Sequence, residues 1–154
     1  MMKRRKKMFL VLMVCLVVHA SVVFASERSL ALPTYTYEAV YTGNLQTHLT
    51  NPIYVRFKNG ISGDKRNAGA ETWTDYPFTA TSVTVTFYWV DYQSLETPNP
   101  VYGTTTGFDY GSGNCSVEAP SLTNYKYYYK VVSSHNANYD GASLSKTNLT
   151  KFVP

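Results

Sequence analysis

Apolar and polar side chains alternate one by one along most of this chain, the period of a half-buried strand rather than of a helix. Over Thr34–Thr42, Tyr35, Tyr37, Ala39 and Tyr41 take one parity, and Thr34, Thr36, Glu38 and Thr42 take the other. Gly43-Asn44 breaks the run, and Leu45, Thr47 and Leu49 suggest a short continuation. Ile53–Lys58 sets Ile53, Val55 and Phe57 against Tyr54, Arg56 and Lys58; Asn59-Gly60 after it is the chain's strongest hairpin-turn signal. Ile61–Ala70 reads as a polar loop, and Glu71–Tyr76 as a short strand stopped by Pro77. Thr79–Tyr92 carries the longest alternation, with Val83, Val85, Phe87 and Trp89 opposite Thr84, Thr86, Tyr88 and Tyr92. Further strands are expected at Thr104–Tyr110, Leu122–Ser134 and Lys146–Val153, joined by loops at Gln93–Gly103, Gly111–Pro120 and Asn136–Ser143. In the second of these strands Tyr125, Tyr127, Tyr129 and Val131 are assigned inward, and Lys126, Tyr128, Lys130 and Val132 outward. The expected fold is all-β: a single antiparallel β-sandwich, Ig-like or jelly-roll-like, or a small barrel, of about six to eight strands.

The N-terminus follows a different rule. Lys3, Arg4, Arg5, Lys6 and Lys7 form a basic cluster, Met8–Val18 is an unbroken apolar run, and Val23-Phe24-Ala25 offers small or apolar residues before Ser26. That order is the layout of a Sec-type signal peptide cleaved after Ala25. The expected organisation is therefore a signal peptide at 1–25, a lead-in at 26–33 and an all-β domain at 34–154, secreted to the extracellular space. An uncleaved anchor is the alternative, since Met8–Ala25 approaches the length of a membrane helix, but His19 and Ser21 interrupt its second half.

Cleavage changes the charge. The whole chain has 14 basic and 10 acidic residues, net +4. Five of the basic residues lie in the leader, which leaves nine basic against ten acidic, net −1. The excess positive charge that phosphate neutralisation requires is then missing, so nucleic acid is not an expected partner. All 14 tyrosines fall after the leader, which favours pleated sheet. Cys115 is the one cysteine left, so an intramolecular disulfide is excluded and a buried thiol is expected. A disulfide-free secreted domain with so basic a leader suggests a bacterial source, in which case the sequons Asn114-Cys115-Ser116 and Asn148-Leu149-Thr150 carry no meaning.

Catalytic motifs are sparse. There is no HExxH, GxSxG, phosphate loop or paired CxxC, and no enzyme activity, metal or cofactor is expected. His135 follows Ser133-Ser134, and loop or strand-end polar residues are the simplest account of them. Glu71, Trp73 and Asp75 share one strand parity, an arrangement found in sugar-binding clefts and also at guarded sheet edges. Asp64, Asp109 and Asp140 sit among glycines, where turn chemistry explains them without calcium. The main surface candidate comes from parity: Tyr54, Arg56, Lys58, Lys126, Tyr128 and Lys130 would form one basic, aromatic patch if their two strands were sheet neighbours, with Trp73 as a further sugar contact. Such a patch suits an anionic cell-wall or surface polymer. The expected function is a non-enzymatic extracellular binding module for a glycan or protein. The alternatives are a small toxin or bacteriocin-like protein inserting Thr79–Tyr92 into membranes, and a hydrolase inhibitor presenting Gln93–Gly103 or Gly111–Pro120.

Overall fold

A computed structural model describes residues 35–93 and 100–152. The leader and lead-in, and most of the Gln93–Gly103 loop, lie outside the described residues. Eight strands follow one another: β1 (Tyr37–Leu45), β2 (Ile53–Ile61), β3 (Ala68–Thr74), β4 (Ala80–Asp91), β5 (Val101–Ser112), β6 (Asn114–Glu118), β7 (Lys126–Tyr139) and β8 (Ala142–Lys151). They form two four-stranded sheets, β1-β2-β3-β6 and β5-β4-β7-β8, antiparallel at every junction. The described residues contain no helix, and the sheets do not close into a barrel.

The inward parity is largely the one the alternation gives. Ile53, Val55 and Phe57 of β2 and Val83, Val85 and Phe87 of β4 are sealed between the sheets. Several expectations at the turns are overturned. Gly43-Asn44 does not end β1, which runs on to bury Leu45 against Ile53. Asn59-Gly60 is no turn: both residues pair in the middle of the first sheet, Asn59 with Ala39 and Ala70, Gly60 with Glu38 and Gly69. Their reversal is built instead by the loop at 62–67, where Lys65 takes φ 61° and its N–H donates to Ser62 O. Gly60 is needed for another reason. Tyr35 lies flat on the outside of this sheet, and a Cβ on Gly60 would stand 2.5 Å from the Tyr35 Cβ.

Loops also turn out to hold strands. Gly111–Pro120 contains β6, and Asn136–Ser143 is a tight hairpin between β7 and β8. Asp140 and Gly141, at φ 51° and 79°, form its two-residue turn, with the positive φ pair that a type I′ turn demands. The β4 segment considered for membrane insertion is a central strand, hydrogen-bonded to β5 and β7.

A bulge corrects the assignment of the tyrosine run. The β4–β7 register shifts between Tyr88 and Trp89, so that Tyr88 opposes Lys130 and Trp89 opposes Tyr128. One extra residue in β7 reverses parity on either side of it. Tyr128 therefore points inward, 1% exposed, and its hydroxyl donates to Pro120 O at 2.7 Å. Tyr127 and Tyr129 line the opposite side.

The interior has two apolar clusters, one around Ile61, Val85, Phe87 and Val131, the other around Leu45, Val55, Phe57 and Ala137. Between them, along β2 and β7, lies a polar belt. Asn59 Nδ2 donates to Ser133 Oγ at 2.7 Å and Asn148 O at 2.9 Å, and Thr150 Oγ1 donates to Asn59 Oδ1 at 2.7 Å. Asn148 Nδ2 crosses back to the Phe57 carbonyl. These bonds tie the two sheets together, and each satisfied partner fixes which residues face each other.

Candidate functional site

The six residues of the expected basic patch are not brought together. Tyr54, Arg56 and Lys58 lie on the outside of the first sheet, whereas Lys126, Tyr128 and Lys130 belong to the second, with Tyr128 inside the core. Charge is also neutralised locally. Lys58 Nζ is 3.1 Å from Glu38, Arg56 is 3.7 Å from Glu71, and Lys126 is 3.5 Å from Asp91.

Trp73 does sit beside two of its expected companions. Register places Arg56 directly opposite Trp73; the guanidinium lies 5.4 Å from the indole and the Tyr54 ring meets the indole edge-on at 6.1 Å. The carboxylates considered with it are occupied, Glu71 by Arg56 and Asp75 by the Tyr54 N–H at 2.8 Å. Tyr35 closes this face beyond Lys58. Its phenol is pushed far up by burial first, and then by Glu118, Glu38 and Glu71.

Ser133 and His135 both point inward from β7, and the imidazole has partners on both sides. Thr72 Oγ1 donates to Ser82 O, so the proton of the His135–Thr72 contact sits on Nδ1, 2.9 Å away. Nε2 then accepts from Ser133 Oγ at 2.6 Å. The ring stacks on Phe57 at 5.2 Å, and burial lowers its pKa to about 4. With Ser133 and His135 at 0% and 2% exposure, this hydroxyl–imidazole pair is part of the structural belt and is closed to substrate. Cys115 is likewise buried, and desolvation raises its thiol.

The three loop aspartates have local roles. Asp64 accepts from Ser62 Oγ and the Arg66 N–H, which lowers its pKa. Asp109 accepts from the Ser116 N–H, and Asp140 pairs with His48. Among the described residues no three His, Cys, Asp or Glu side chains converge as a metal site would require.

The more open surface is the outside of the second sheet. Its ladder sets Tyr110, Ser82, Asn136 and Ser145 in one row, then Phe108, Thr84, Ser134 and Thr147, then Thr106, Thr86, Val132 and Leu149, then Thr104, Tyr88, Lys130 and Lys151. Ser82, Thr84, Ser134, Asn136, Ser145 and Thr147 line a shallow trough. Tyr102, Phe108 and Tyr110 stand along the β5 edge at 65%, 62% and 74% exposure. At the strand rise of about 3.3 Å, Tyr102 and Tyr110 are roughly 26 Å apart. Lys130 and Lys151 face each other across β7 and β8. Lys130 lies over the Tyr88 ring at 3.8 Å, and neither lysine has a carboxylate within ion-pair distance among the described residues.

Sequence reasoning reached Lys130 but missed Lys151 and the β5 aromatics. The available signal was the parity of Tyr102, Thr104, Thr106, Phe108 and Tyr110, five same-face residues without a charge. The fold and this face define the class, a two-sheet all-β sandwich with one hydroxyl-rich, aromatic outer surface. No protein-family model matches the chain, and no curated protein matches it.

Proposed function

We propose that this chain is a secreted, non-enzymatic binding domain, and that the outside of the second sheet receives an anionic cell-wall or surface polysaccharide. The observation that carries the reading is the Lys130–Lys151 couple, without a carboxylate partner among the described residues, on a face made mostly of hydroxyls, amides and exposed rings around a Val132–Leu149 row. Ser, Thr and Asn side chains supply short donors and acceptors for sugar hydroxyls, aromatic faces stack on sugar rings, and free ammonium groups attract acidic substituents. Lys58, Arg56 and Lys126 fit this role less well, because a carboxylate already faces each of them. The partner's charge matters because the domain as a whole is slightly acidic, so attraction has to come from the local field of this face.

Co-sedimentation of the Ser26–Pro154 domain with polygalacturonate and with neutral amylose tests the reading. Retention by polygalacturonate, lost as salt shortens the screening length to about 3 Å at 1 M, is the expected result. Equal retention by amylose, or none by either polymer, overturns it.

A further inference from the structure

Beyond the open face, the second sheet ends in a cavity of different chemistry. Tyr92, Tyr102, Tyr127, Tyr129 and Phe152 line it together with the buried Val90, around a volume of about 380 Å³, within the range of small-molecule sites. Among the described residues, Lys65 and Lys151 are the charged groups in the lining, and no carboxylate is among them. We propose that this cavity binds a small aromatic anion, a planar ring system carrying one acidic group.

The walls are assembled from separate parts of the chain. Tyr127 and Tyr129, two apart on β7, share a side, which the bulge turns away from the core, and Val90 lies between Tyr102 and Tyr127 in the ladder. Tyr129 meets Tyr102 edge-on at 5.9 Å and Tyr127 meets Tyr92 at 6.3 Å. Phe152 is held in place by its N–H bond to Tyr129 O at 2.9 Å. Lys65 arrives from the first sheet's 62–67 loop, anchored by the Tyr128 N–H donating to its carbonyl at 2.8 Å, and its ammonium sits 3.3 Å from the centre of the Phe152 ring.

Ring faces and edges meet a planar aromatic guest at offset and T-shaped angles. A sugar fits this cavity poorly. Its many hydroxyls want amide or carboxylate partners, and the described lining residues include no Asn, Gln, Asp or Glu. Charge decides the other half of the ligand. Two ammonium groups with no acid beside them among the described residues repel each other and a cationic guest, and an anion between them relieves both. This goes beyond the polysaccharide reading, since the ligand is a discrete molecule and Lys65 is not on the open face.

The test is fluorescence titration with anilinonaphthalene sulfonate, a planar aromatic anion, against neutral phenylnaphthylamine. The folded domain should bind the sulfonate saturably, one per chain, and about tenfold more tightly than the neutral probe, which corresponds to about 1.4 kcal/mol. Lys65→Gln with Lys151→Gln should erase that preference. Tyr102→Ala, at an exposed position, should weaken both probes, and Trp73→Ala on the other sheet should change neither. Lys65→Gln alone should weaken the sulfonate and leave polygalacturonate retention intact, which separates this site from the polymer face. Non-saturable binding, an equal affinity for the neutral probe, or a sulfonate affinity unmoved by the lysine pair would overturn the proposal. Near-ultraviolet circular dichroism confirms that each variant keeps the native packing.

Discussion

At the scale of single residues, the least typical feature is how much polar chemistry the core contains. Asn59 bonds to Ser133, Asn148 and Thr150 at once. Removing its amide leaves several buried groups without partners, each costing about 1–3 kcal/mol. Asn59→Ala should therefore lower unfolding free energy by roughly 3 kcal/mol in urea titration; a loss below about 1 kcal/mol would show that the belt is not what joins the sheets. His135 adds a pH dependence. Its pKa is about 4 in the fold against 6.5 in the unfolded chain, so between these values the unfolded chain holds more protons, and stability rises with pH. The contribution is complete above pH 6.5 and is lost as pH falls towards 4, amounting to about 3 kcal/mol at 1.36 kcal/mol per unit. Denaturant midpoints from pH 4 to 7 should show that slope in the native chain and a flatter one in His135→Gln. The belt was not legible in the sequence, because Asn59 reads as a turn residue and Ser133 and His135 as strand-end polar groups. Only their partners on other strands give them interior roles.

At the scale of elements, two similar dipeptides act in opposite ways. Asn59-Gly60 and Asp140-Gly141 are both turn signals, yet only the second makes a turn. The difference lies outside the local sequence: Asn59 finds buried partners, and Gly60 accommodates the Tyr35 ring. Gly60→Ala should therefore cost about 2 kcal/mol or more, through displacement of a buried aromatic. Gly141→Ala meets no atom within 4 Å but keeps φ at +79°, so it should cost about 1–2 kcal/mol, the left-handed backbone penalty alone. Thermal melts of the two variants check this ordering, and a smaller loss for Gly60→Ala would contradict the role given to Tyr35. Alternation located β2 and β4 well because their inner residues are strongly apolar. It misplaced the tyrosine strand because β7 is bulged and semi-polar on both faces, so parity held no information about where it would reverse. It missed β6 because that strand is only five residues long, with two apolar residues, Cys115 and Val117, on its inward parity, and so resembles a loop.

At the scale of the whole molecule, the two sheets present different exteriors. The first is covered by paired charges, Tyr35 and the Arg56–Trp73 stack. The second offers hydroxyl rows, exposed rings and two lysines, Lys130 and Lys151, that no carboxylate of the described residues pairs. The fold class was readable from the alternation, but the candidate face was not, because strand order decides which same-parity residues become neighbours. The sequence placed Lys130 with Arg56 and Lys58, and the topology places it with Lys151. The most direct measurement compares two charge reversals in polygalacturonate binding, Lys130→Glu with Lys151→Glu on the second sheet and Arg56→Glu with Lys58→Glu on the first. The account predicts at least a tenfold loss of affinity for the first pair and less than a twofold change for the second, where both variants keep the native circular dichroism. Equal losses, or a loss confined to the Arg56–Lys58 pair, would contradict the assignment of the second sheet as the binding face.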